Sequence, residues 1–125
     1  MIEPVQVELY QTPDGEFPYE HWFDRLKDKG TKSKIEARIT RLRTGNWGRW
    51  KAVGDGVREI AIDFGPGYRI YAGQVDSNTV LLLCAGDKAT QVRDISTAKQ
   101  HWAEFKSSSR KDTQCEERKA TKSTY

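Results

Sequence analysis

The sequence predicts an α+β fold, and three observations carry that expectation. A strictly alternating segment opens the chain, two stretches of helical spacing follow, and three strand-like segments then arrive in quick succession before a last helix. Val5-Gln6-Val7-Glu8-Leu9-Tyr10 alternates apolar with polar, as a half-buried strand does. Thr12-Pro13-Asp14-Gly15 is a turn signal. From Pro18 the spacing becomes helical, with Trp22, Phe23 and Leu26 as an apolar stripe that Gly30 ends. Thr31 is placed to cap a second helix, in which Ile35, Ile39 and Leu42 share one face. Gly45 stops it.

Asn46 to Gly56 reads as a loop carrying Trp47 and Trp50. Val57 to Phe64 is a strand with Ile60 and Ile62 on one face and Glu59, Ala61 and Asp63 on the other. Gly65-Pro66-Gly67 turns it into Tyr68 to Val75, where Arg69 and Tyr71 share a face. Asp76-Ser77-Asn78 leads to Thr79 to Ala85, which is apolar throughout, as a strand covered on both faces is. Gly86-Asp87 breaks it, and Lys88 to Lys106 forms a last helix around Ile95, Ala98 and Trp102. The expected architecture is a two-helix hairpin on a twisted, mainly antiparallel four-stranded sheet (β-α-α-β-β-β) with a C-terminal helix. The first strand should lie beside the last.

The 125 residues suit one domain, spanning residues 1–106. Residues 107–125 are rich in Ser, Thr, Lys and Arg and are expected to stay unfolded, because they bury too little to offset the ordering of a backbone. The net charge is only +3, but basic residues crowd the segment from Arg25 to Lys51. Such a segment suits a polyanion, and equally a solvated helix face. Cys84 lies in an apolar run and Cys115 in the tail, so neither a disulfide framework nor a zinc pair is indicated. No run is long enough to span a membrane and no signal-peptide pattern opens the chain, so a cytoplasmic protein with reduced thiols, no cofactor and no metal is expected.

Three segments together carry a resemblance. They are Val53-Gly54-Asp55-Gly56-Val57-Arg58-Glu59-Ile60, Asp63-Phe64-Gly65-Pro66-Gly67-Tyr68-Arg69-Ile70-Tyr71 and Leu81-Leu82-Leu83-Cys84-Ala85-Gly86-Asp87-Lys88. They resemble the HigB-type addiction-module killer proteins of the RelE/ParE toxin superfamily, over about residues 5 to 106. The resemblance implies a RelE-like fold and a ribosome-dependent endoribonuclease that cleaves mRNA, with contacts to 16S rRNA. It also implies neutralisation by a helix-turn-helix antitoxin.

RNA can be cut without a metal when the ribose 2′-OH attacks its own phosphate; cations and proton-transfer groups then stabilise the charged phosphorane. Arg69 matches the arginine that the family implicates in holding the scissile phosphate, and a guanidinium can grip two oxygens at once. Its bland alternative is an ion pair with Glu59 or Asp63. Lys88 matches a basic residue of the family's active site, as charge clamp or proton donor; a solvated helix lysine is the alternative. Tyr71 is a candidate for stacking on a base, and Glu59 for the general base, against packing and a structural ion pair respectively. Lys51, Arg58, Lys34, Arg38 and Arg41 are candidate RNA contacts. His21 and His101 have no ligand-like spacing and read as surface or packing residues.

One departure matters. The family commonly carries arginine where this chain has Ala61, which implies a weak enzyme unless Arg58 or Lys51 compensates. Two alternatives therefore stand beside the nuclease: a ParE-like toxin that binds and poisons DNA gyrase, and a degenerate inactive toxin.

Overall fold

A computed structural model describes residues 4–111 and 121–123, with side chains described for 4–108. Its elements run β1 (Gln6–Tyr10), α1 (Pro18–Asp24), α2 (Lys29–Arg43), β2 (Trp50–Gly54), β3 (Val57–Ile62), β4 (Tyr68–Asp76), β5 (Thr79–Asp87), a 3-10 turn (Lys88–Thr90), α3 (Gln91–Lys111) and β6 (Thr121–Ser123). The strands form one sheet in the order β2-β3-β4-β5-β1-β6. The β1–β5 pair is parallel and the other pairs are antiparallel. The α+β class and the placing of the first strand beside the last of the three consecutive strands both hold.

The sheet has six strands where four were expected. The segment read as a loop contains β2, which pairs with β3 from Trp50↔Ile60 to Gly54↔Val57. Its turn is Asp55-Gly56, and Asp55 sits at φ 59 with Gly56 at φ 86, the left-handed pair that a tight hairpin needs. The second additional strand is β6, three residues that pair with β1. The tail reading also changes at its start, because α3 continues past Lys106 to Lys111. Residues 112–120, including Cys115, lie outside the described residues.

The helix boundaries shift for a local reason. Asp28, not Thr31, caps α2: its carboxylate accepts from the Thr31 backbone N–H at 2.9 Å and from the Thr31 hydroxyl at 2.8 Å. α1 correspondingly ends at Asp24.

Each face of the sheet has its own core. Val7, Leu9, Ile60, Ile62, Ile70, Val80 and Leu82 face the hairpin of α1 and α2, whose Tyr19, Ile35, Ile39 and Leu42 are buried against them. Val57, Tyr71, Leu81, Leu83 and Cys84 face α3 through Ala98, Trp102 and Phe105. β5 is therefore buried on both sides, as its continuous apolar run requires. Trp102 lies flat on β4 at Gly73, where an added Cβ would come within 2.6 Å of the indole. Gly73→Ala is accordingly expected to destabilise the fold by about 1–3 kcal/mol, read as a lower urea midpoint at constant m-value.

Candidate functional site

Cross-strand register selects which polar side chains meet. Lys51 pairs with Glu59, Glu59 with Tyr71, Ala61 with Arg69, and Arg69 with Gly86. Directly opposed residues point to the same side of a sheet. All of these therefore share the face that α3 covers, at the end where the Gly-Pro-Gly turn meets the exit of β5.

Glu59 is the centre of this constellation and is 2% exposed. It accepts from the Tyr71 hydroxyl at 3.1 Å and from Gln91 Nε2 at 2.8 Å. The Arg69 guanidinium lies 3.7 Å away through Nε, and Lys51 Nζ 3.8 Å away. Two cations and two neutral donors thus offset the desolvation of one buried carboxylate. This arrangement corrects two expectations. Glu59 is enclosed by its partners and positions Arg69, where a general base facing substrate was considered. Tyr71 is fully buried and cannot stack on a base; burial, and then the Glu59 carboxylate, push its phenol far above the ordinary tyrosine range.

Arg69 is held but not saturated. Its side chain is 12% exposed, Nη1 donates to the Tyr68 carbonyl at 3.2 Å, and the buried Nε makes no hydrogen bond among the described residues. A Cβ placed on Gly67 would stand 3.5 Å from Arg69 Nη1 and 3.7 Å from Lys88 Cβ. Two side chains from distant parts of the sequence therefore flank one glycine, which sits at φ 82.

The Gly86-Asp87-Lys88 motif has a physical reading at each position. A Cβ on Gly86 would come within 1.9 Å of Asp94 Oδ2 and 2.7 Å of Thr90 Oγ1, so glycine alone lets the start of α3 seat here. The Asp87 carboxylate accepts from the backbone N–H groups of Ala89 at 2.9 Å and Thr90 at 3.2 Å, closing the 3-10 turn. Lys88 follows with its side chain exposed. Asp94, 7% exposed, takes the Thr90 hydroxyl and lies near Arg93. Neither Gln91 nor Asp94 is visible as a site residue in the sequence, because both are polar positions in an amphipathic helix.

The remaining basic candidates separate into two groups. Lys34 is exposed, with its ammonium 5.1 Å from the centroid of the Phe64 ring, and Arg41 is exposed. Arg38 is instead a backbone clamp: Nη1 donates to the Ala61 carbonyl at 2.7 Å, and Nη2 to those of Trp47 at 3.1 Å and Arg49 at 3.3 Å. It ties α2 to the β2 approach, and its guanidinium is engaged with carbonyls where a phosphate contact was expected. Arg58 is stacked on Trp47 and Trp50, 4.5 and 4.4 Å from their ring centroids.

His21 is exposed on α1, and His101 stacks on Tyr10 at 4.7 Å. Burial holds the His101 imidazole below its ordinary value of 6.5, against a weaker opposing pull from Glu104. The folded form is thus the neutral one. Its contribution is complete above that value and is lost as pH falls through it toward the lower folded pKa. Urea midpoints should therefore drop as pH falls below about 6.5, and His101→Gln should flatten that part of the profile. Cys84 is buried, and burial with nearby Asp94 pushes its thiol up to about 12. Among the described residues no group of three or more His, Cys, Asp or Glu could hold a metal ion, and no helix is long and apolar enough to cross a membrane.

An uncharacterized protein of Haemophilus influenzae (strain ATCC 51907 / DSM 11121 / KW20 / Rd) is 48% identical over 81 residues, which cover 65% of this chain and 82% of that one. The chain belongs to the family of that protein. No family model matches, and no solved structure matches.

Proposed function

We propose that the protein is a toxin of the RelE/ParE superfamily, with a RelE-like fold, acting as a ribosome-dependent mRNA endoribonuclease. The observation that supports this reading is that the Arg69 guanidinium and the base of the Lys88 side chain both approach the same glycine, Gly67. In the proposed step the 2′-hydroxyl gives its proton to solvent water as its oxygen bonds to phosphorus, and the bond to the 5′-oxygen breaks as that oxygen takes up a proton, leaving a cyclic phosphate and a 5′-OH. Arg69, fixed from behind by Glu59, stabilises the charge on the phosphorane. Lys88 clamps the phosphate or protonates the leaving oxygen. Lys51 on the same face, with Lys34 and Arg41 on exposed α2 positions, would meet mRNA or 16S rRNA phosphates. A cytoplasmic site of action and a helix-turn-helix antitoxin, laid over the basic surface or a sheet edge, belong to the same proposal.

A second reading has its own observation. Ala61 is buried directly opposite Arg69, so the position where related toxins carry a further cation supplies none. That favours a weak nuclease, or a ParE-like toxin that binds gyrase without cutting RNA. Primer extension on transcripts from induced cells separates the two. Codon-phased cuts during growth arrest support the nuclease; DNA damage with intact mRNA overturns it in favour of gyrase poisoning. Expression without growth arrest points to a degenerate toxin.

A further inference from the structure

Trp50 is an exposed indole with an unusual backing. It is 41% exposed, at the outer edge of the sheet. Single exposed apolar residues ordinarily need no explanation. Here, however, the Arg58 guanidinium lies 4.4 Å from the Trp50 ring centroid and 4.5 Å from that of Trp47. The two indoles are 5.9 Å apart and inclined at 54°. The segment that presents them is pinned by Arg38, which donates to the carbonyls of Trp47 and Arg49. On either side of Trp50 in the chain stand Arg49 and Lys51, whose side chains are 69% and 65% exposed. Arg49 is paired with Asp63, in an exposed ion pair that holds little energy and can exchange for a phosphate.

We propose that Trp50, backed by Arg58 and Trp47, is a stacking site for an unpaired base of single-stranded RNA, with Arg49 meeting an adjoining phosphate. An aromatic platform between cations is how proteins hold single strands without reading their sequence. The cation against the ring holds the indole, which is 41% exposed. An apolar protein partner would be matched by apolar neighbours; the exposed neighbours of Trp50 in the chain are two cations instead. The inference rests on the reading that RNA is the target and adds a contact outside the Arg69 constellation.

The test is binding by the purified full chain of an unstructured RNA of about 12 nucleotides, followed by tryptophan quenching and by the anisotropy of the labelled RNA. Trp50→Ala should weaken binding by roughly tenfold, and Trp50→Phe should retain most of the affinity. The salt dependence should persist in both variants, because the phosphate contact remains. Unchanged urea midpoints in Trp50→Phe keep the comparison free of folding effects. Equal affinity of Trp50→Ala and the parent overturns the proposal. So does the absence of RNA binding, or protection of Trp50 by a protein partner but not by RNA. Codon-phased cleavage without Trp50-dependent binding sinks this inference and leaves the nuclease reading; Trp50-dependent binding without cleavage does the reverse.

Discussion

Glu59→Ala is expected to lower the unfolding free energy by about 3–5 kcal/mol, the range for removing one member of a buried charge pair. The carboxylate is 2% exposed and serves Arg69, Tyr71 and Gln91 at once. Its removal leaves a largely buried guanidinium uncompensated and two polar groups without their acceptor. The Lys51 contact contributes little, because that ammonium is 65% exposed. Tyr71→Phe removes one hydrogen bond and should cost only about 1 kcal/mol. Urea unfolding at neutral pH checks both. Near-equal losses from the two variants would mean that Glu59 does not hold the cluster together.

Arg69→Ala should reduce mRNA cleavage in induced cells by about 100- to 1,000-fold, the usual loss when one preorganised donor is taken from a developing oxyanion. Arg69→Lys should recover little of it, because an ammonium lacks the planar fork and cannot reproduce the contact to both Glu59 and a phosphate. Lys88→Ala should slow cleavage less if Lys88 is a clamp, and should also alter the pH dependence if it donates the proton. Transcript mapping reads each effect. Full cleavage by Arg69→Ala would remove the Arg69–Lys88 site from the proposal while leaving the fold unaffected. Arg69 is mostly buried, so the comparison needs the urea midpoint of each variant beside its cleavage rate.

Much of this molecule was legible before any coordinates. Ile35, Ile39 and Leu42 at helical spacing, and the unbroken apolar run of Thr79 to Ala85, announced the core because burial imposes period and length on a sequence. Two elements escaped for different reasons. β2 carries an exposed, irregular pattern, as an edge strand does, so periodicity is silent there; Asp55-Gly56 was the available signal, since that pair suits a two-residue hairpin turn. β6 is three residues inside a polar segment and has no pattern of its own.

The candidate site divides in the same way. Arg69 and Lys88 stand out through the motifs around them, and alternation along β3 and β4 already puts Glu59, Arg69 and Tyr71 on matching faces. That α3 seals this face and brings Gln91 to Glu59 is invisible to local pattern. The sequence alone therefore determined which residues could lie on a common side, because pleat and helical pitch are properties of the backbone. Only the tertiary structure decided which of them are spent on one another. Whether Arg38 grips carbonyls, Arg58 stacks on indoles, or Tyr71 and Glu59 are closed off from solvent depends on what packs above each one, and packing joins segments whose separation along the chain carries no trace of their contact.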